Sequence, residues 1–330
     1  MDLIIATITL GGIFALLALA LNVQMGYAGL INFGIVAYFT AGAYAYVVIT
    51  QPPPTEFDTY KFGFDQPIWV GLIGAVIAAV LFAAITGWPC LRLRGEYLAL
   101  TTFAFAEVFG SLVTNTTSVT NGTLGFLGIE QPLSARIVPE AYPMVLAGLI
   151  AALVIVALLI VSRVTRAPFG RALLALQDDE IAAVQAGKNV RRLRLQAFLL
   201  GAGISGAAGA MYLWYTTVAS PDLFHAEVTF TVFIALILGG VGSNLGAILG
   251  AGILIGFQES VRQLATNPTI AEKTGAVQAV LEGLLLILLL RFAPGGAAQL
   301  LRGLRPKRTS TGPDHEPKPT ATAFVKEPTT

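Results

Sequence analysis

Residues 3–21, LIIATITLGGIFALLALAL, carry no charged side chain. At ~1.5 Å rise per residue a helix over this run extends ~28 Å, close to the ~30 Å hydrocarbon core of a bilayer. Ala18-Leu19-Ala20 mimics a signal-peptidase site, but the only early charge is Asp2, and a signal peptide needs a basic leader. The run reads as a retained transmembrane helix. Six further apolar blocks follow at 31–50, 68–88, 97–113, 144–161, 195–215 and 276–292. Between the last two lie shorter pieces, 228–238 and 245–257, joined by Gly239-Gly240-Val241-Gly242-Ser243-Asn244. Neither reaches the ~17 residues a span needs, so they read as a short or re-entrant pair buried in the bundle. The fold expected is an all-α polytopic transmembrane helix bundle of about 8–10 membrane segments.

Composition agrees. Of 330 residues 55% are apolar and only 12% charged. Soluble domains carry about 25% charged residues, so this chain cannot coat a water-soluble fold of its size. Thirty-five glycines suit close backbone approach between membrane helices. A net charge of +1 leaves no nucleic-acid footprint. Cys90 is the one cysteine and has no disulfide partner in the chain. His225 and His315 lie far apart, so no metal site or catalytic cluster is expected.

Basic residues set the orientation. With the N-terminus outside and the C-terminus cytoplasmic, all of the 20 Lys and Arg fall on inner segments except Lys61, Arg136, Arg262 and Lys273. That is a strong positive-inside bias. Trp69, Trp88 and Trp214 sit at block ends, as an aromatic belt requires. The transmembrane domain covers 1–305. Residues 306–330, with five prolines among Thr, Lys and Glu, cannot bury a core and read as a disordered cytoplasmic tail.

The inner segment 163–194, RVTRAPFGRALLALQDDEIAAVQAGKNVRRLR, is too patterned for a plain connection. Pro168 can open one helix. Asp178 or Asp179 can cap a second, Asp179–Ala186, with Glu180 at its positive end. Gly187 can end it in the left-handed conformation. The small face of Ala182, Ala183 and Ala186 favours docking on a cytoplasmic partner over a loop that only sets topology.

Gly170 and Arg171, then Asp178-Asp179-Glu180-Ile181-Ala182-Ala183 and Gly187, resemble the coupling loop of permeases in branched-chain amino acid ATP-binding-cassette (ABC) importers. Four other motifs agree in order: 26–34 (GYAGLINFG), 91–100 (LRLRGEYLAL), 239–243 (GGVGS), and Glu282-Gly283 with 291–296 (RFAPGG). The resemblance covers about residues 1–300 and is closest to the M-type subunit of the high-affinity leucine, isoleucine and valine importer. It implies a non-catalytic transport subunit in the bacterial inner membrane. Its expected partners are a homologous H-type permease in a heterodimer, two cytoplasmic ATPases and a periplasmic binding protein, besides membrane lipid. ATP and Mg would be held by the ATPases and no cofactor by this chain. Gly170, Arg171 and the 178–187 helix would meet an ATPase. Gly26, Gly29, Asn32 and Gly34, with Gly239, Gly240 and Gly242, would form helix breaks or line the pathway.

Gly26, Gly29 and Gly34 loosely echo Gly239, Gly242 and Gly246, and an internal repeat stays open. Asn22, Gln24 and Asn32 could line a pathway or cap helices. Glu107 and Glu282 interrupt apolar blocks. An intramembrane carboxylate is a functional candidate, yet structural hydrogen bonding between helices is the favoured reading. An ion-coupled transporter would need more such carboxylates. A membrane enzyme would need clustered His, Asp or Cys. The same fold could carry urea, short amides or a sugar. The polar, nearly uncharged loop 114–142 suits a contact surface outside.

Overall fold

The computed structural model describes residues 2–54, 60–134 and 137–264, with Val280, Gly283, Leu284, Ile287 and Arg291 beyond them. Most of the block 276–292, Glu282, 292–296 and the tail 306–330 lie outside the described residues. The described chain is an all-α membrane bundle. Its helices are α1 (Asp2–Leu21), α2 (Ile35–Thr50), α3 (Ile68–Cys90), α4 (Glu96–Asn115), the four-residue α5 (Thr117–Thr120), α6 (Tyr142–Arg166), α7 (Pro168–Asp178), α8 (Glu180–Gln185), α9 (Val190–Thr216), α10 (Ala226–Gly239) and α11 (Asn244–Leu264). Seven helical stretches are long and apolar enough to cross a membrane, and α2 is a shorter apolar helix of 16 residues. Two-residue strands, β1 (Phe126–Leu127) and β2 (Val218–Ala219), pair antiparallel at the end opposite the arginine-rich loops.

Two helices form the centre. From Ile13 to Leu21 α1 is apolar and almost wholly buried, with α6, α9 and α11 around it. A helix apolar on every side needs such a central place. α9 is built differently, with Gly201, Ala202, Ser205, Gly206, Ala208, Gly209 and Ala210 all buried. Gly206 touches the backbone of Gly42 in α2, and a β-carbon on it would strike Ala79 and the Ala75 carbonyl of α3. A β-carbon on Gly209 would strike the Phe39 carbonyl. With no water to expel between lipid-solvated helices, this backbone proximity and its dispersion contacts hold α2, α3 and α9 together.

The paired segments at 228–238 and 245–257 are longer than their apolar blocks. α11 has 21 residues, ~31 Å at ~1.5 Å each, and crosses rather than re-enters. The apolar run stops at Phe257, but the helix continues because Glu259, 5% exposed, pairs with Arg262 at 2.7 Å and the Ser260 hydroxyl donates to the Gly256 carbonyl at 2.6 Å. α10 has 14 residues, preceded by a 3-10 turn at Pro221–Leu223 that brings the span to 19. The two helices cross closely at Gly239, Gly246 and Gly250. The second apolar block, 31–50, also shifts: α2 starts only at Ile35, after an irregular stretch.

Trp69 and Trp88 are exposed at helix ends, and Trp88 stacks under the Arg191 guanidinium at 4.5 Å. Trp214 is not a belt residue. It is fully buried, edge-on to Tyr46 and Trp69, because α9 is central along its length.

Replacing Gly206 by Val should lower the unfolding free energy by about 3 kcal/mol or abolish folding, since backbone on two helices must move. Gly148→Val, on an open face of α6 with nothing within 4 Å of the added carbon, should change it by less than about 0.5 kcal/mol. Denaturant titration in micelles reads both.

Candidate functional site

At its C-terminal end α1 widens into a π-helical turn, Asn22–Tyr27, and the chain then runs irregularly to Gly34. Backbone that leaves the helix inside a membrane must find partners within the protein. Three buried amides supply them. Asn22 Oδ1 accepts from the Gly242 N–H at 2.8 Å, and Asn22 Nδ2 donates to Asn244 Oδ1 at 2.8 Å. Asn244 Nδ2 reaches Thr165 Oγ1 at 3.3 Å, at the end of α6. Gln24 Nε2 donates to the Phe198 carbonyl of α9 at 3.0 Å, while Gln24 Oε1 accepts from Asn32 Nδ2 at 2.8 Å. Asn32 Oδ1 in turn accepts from the Gly34 N–H at 2.8 Å. The Phe33 N–H donates to Thr102 Oγ1 of α4 at 3.1 Å. One network thus ties the first irregular stretch to α4, α6, α9 and the α10–α11 turn.

The glycines singled out in the sequence fall here with different tasks. Gly26 sits inside the π-turn, and a β-carbon there would meet the Asn22 side chain and lie 2.7 Å from the Gly242 nitrogen. Gly29 and Gly34 flank the irregular stretch, Gly29 against Gln177 of α7 and Gly34 against the Thr102 carbonyl, 2.7 Å from an added β-carbon. Gly239 ends α10 against Gly246. Gly240 and Gly242 make the turn with φ of +100° and +83°, where L side chains are strained.

The segment between α6 and α9 abuts this network. α7 opens at Pro168 and buries Gly170, Leu173 and Leu176, with Gly170 packed on the Thr165 carbonyl. Arg171 donates to the Arg166 carbonyl at 3.3 Å. Asp178 closes α7, and the Asp179 carboxylate caps α8 by accepting from the N–H groups of Ile181 (2.8 Å) and Ala182 (3.1 Å). Gly187, at φ +73°, ends the turn after α8, its N–H on the Val184 carbonyl. Glu180 bonds Arg94 and Arg194, each at 3.0 Å, so α8 is strapped to the α3–α4 loop and to the start of α9. Arg194 lies near the positive end of the α9 dipole, which disfavours a cation, and the Glu180 carboxylate offsets that. Of the alanines, Ala183 is buried within the chain, whereas Ala182 and Ala186 are exposed beside Ile181 (72% exposed) and Val184 (54%).

Residues 3–290 match the family described as branched-chain amino acid transport system, permease component. The chain belongs to this permease family. It is 31% identical over 280 residues to the high-affinity branched-chain amino acid transport system permease protein LivM of Escherichia coli, covering 78% of this chain and 63% of that protein. The probable branched-chain amino acid transport permease protein LivM of Methanocaldococcus jannaschii is 28% identical over 275 residues, 76% of this chain and 78% of its own. The LivH permease protein of Salmonella typhimurium is 26% identical over 273 residues, 77% and 83% of the two chains. The chain spans less than two thirds of the E. coli relative's length.

Elsewhere in this permease, Asn121 shapes a turn in the described part of the loop at 114–142. Asn121 takes φ +59° and donates to the Gly125 carbonyl at 2.6 Å, and Leu124 and Leu127 point outward. Glu107, expected to bond a neighbouring helix, makes no hydrogen bond or ion pair among the described residues and is exposed on α4. Sequence reasoning passed over Asn244, Thr165, Thr102 and Glu259. Polar side chains inside or beside apolar blocks were the available signal for all four.

Asn22→Leu and Asn244→Leu should each cost about 1–3 kcal/mol by stranding a buried amide partner. The double variant should fall short of additivity by about 1 kcal/mol. A double-mutant cycle on micelle-solubilised protein measures the difference.

Proposed function

We propose that this permease is one of two membrane subunits of an ATP-driven importer for branched-chain amino acids in the inner membrane. The observation that carries the reading is the α7–α8 segment. It is held rigidly on the bundle by the Asp179 cap and the Glu180 strap, yet offers Ile181 and Val184 to solvent. Two exposed aliphatic side chains on a capped helix beside arginine-rich loops suit the groove of a cytoplasmic ATPase. Cytoplasmic placement of this end, with the N-terminus outside, follows the distribution of basic residues. Similarity to both LivM and LivH proteins supports a pairing of this chain with a homologous permease. The loops around β1 and β2 at the far end suit delivery of cargo by a binding protein. ATP and Mg are assigned to the ATPases and none to this chain.

The mechanism uses the described contacts. Displacement of α8 by an ATPase moves α7 with it, because they are joined through Asp179. α7 bears on Gly29 through Gln177 and on the end of α6 through Gly170. Both points lead into the Asn22–Asn244 and Gln24–Asn32 bonds. A change in these bonds re-aims α4, α10 and α11 around the first irregular stretch, a two-state element biased from one end.

In proteoliposomes holding the whole assembly, Gly187→Val should reduce leucine uptake per ATP hydrolysed about tenfold, since a β-branched residue is strained at positive φ by about 1–3 kcal/mol. Insertion should be unchanged. An Ile181→Cys variant should cross-link to an ATPase subunit. Uptake without ATP hydrolysis, or no cross-link from 181 in the intact assembly, would sink the proposal.

A further inference from the structure

α4 has three faces where a simple membrane helix has two. Thr102, Ala106 and Val113 are buried against the bundle. Phe105, Val108 and Leu112 form an exposed aliphatic and aromatic stripe fit for lipid. The third face carries Phe103, Ala104, Glu107, Gly110 and Ser111, and Ala104, Glu107 and Ser111 are exposed. These positions recur at i, i+3, i+4 and i+7, so they share one side of the helix. Glu107 stands 11 residues from the first residue of α4, ~16 Å along its axis, near the middle of the 20-residue span.

A carboxylate at that depth with no partner among the described residues cannot face hydrocarbon without a large penalty. It faces water or protein. Glu107 is exposed, and one turn on nothing among the described residues lies within 4 Å of a β-carbon built on Gly110. Beside it stands an apolar rim: Phe103 lies 6.5 Å from Phe230 of α10, and Phe230 lies 5.8 Å from Phe33. Phe33 stacks on Phe233 at 4.5 Å, and its own N–H is the group bound to Thr102.

We infer that this face of α4 and α10 is the cargo-recognition wall of the translocation pathway. Glu107 accepts the α-ammonium of a zwitterionic amino acid, and the phenyl rim of Phe33, Phe103 and Phe230 contacts its aliphatic side chain. This rests on the importer reading above and adds to it the group that recognises cargo. The charges are complementary, and the apolar surface lies within one helical turn of the carboxylate. The rim hangs from the Phe33–Thr102 bond, so the network that α7 abuts also governs how wide the wall opens.

The test uses the complete importer in proteoliposomes, with ATP-driven leucine uptake by the unaltered assembly as the reference. If that reference fails, the importer reading fails and Glu107 is not at issue. Given uptake, Glu107→Gln should lower leucine uptake per ATP about tenfold or more, the scale of losing a charged hydrogen bond, while Glu107→Asp restores part of it. Subunit association should be unchanged. A Glu107→Cys variant should react with a cationic water-soluble methanethiosulfonate, and leucine with its binding protein should slow that reaction. Labelling is read on this subunit alone, where background is small because Cys90, the chain's single native thiol, is buried. Unchanged uptake in Glu107→Gln, dissociation of the partner permease from it, or a thiol at 107 inert to the reagent would each overturn the inference.

Discussion

A chain that leaves helical geometry within a membrane must find partners for its freed N–H and carbonyl groups within the protein. Here that constraint falls on residues 22–34, where α1 loosens into a π-turn and α2 has not begun. Asn22 and Gln24 reach other elements from it, while Asn32 holds Gln24 and the Gly34 N–H within it. The irregular stretch is therefore the point at which α4, α6, α9 and the α10–α11 turn become mutually dependent. A site that must move is well placed there: hydrogen bonds between amides can exchange partners, whereas interlocked aliphatic packing has few alternatives.

The arginine-rich end joins this centre through short links. Gly29 lies against Gln177, Gly170 lies on the Thr165 carbonyl, and Thr165 accepts from Asn244. Each link spans a single contact, so the segment outside the bundle and the amides inside it form a continuous solid path. Glu180 keeps that path taut, since its two arginines belong to the α3–α4 loop and to α9.

Much of this was readable from residue order where the physics is local. Pro168, Asp179 and Gly187 act within four positions of themselves, and their opening, capping and terminating roles appear in the structure as the sequence implied. Spans were legible too, because bilayer thickness converts directly into run length. What escaped was non-local. Asn22 finds Asn244 across 222 positions, and no periodicity announces such a pair. α11 outruns its apolar block because Glu259 and Arg262 neutralise each other three residues apart, which a hydropathy reading counts as two reasons to stop. Trp214 looked like an interface residue because block ends cannot reveal which helix is central.

The glycine seam of α2, α3 and α9 has a consequence for the kind of motion available. Where main chains touch at Gly42 and Gly206, there are no rotamers between the helices to readjust. The three helices therefore behave as a stiff plate, and a push at one edge turns the plate whole instead of bending it. α4 is fastened more lightly, to that plate by an aromatic contact between Phe82 and Phe109 and to the stretch before α2 by the hydroxyl of Thr102. A rigid slab bearing a loosely hung panel is a door on its frame, and small displacements at the hinge become large ones at the free edge.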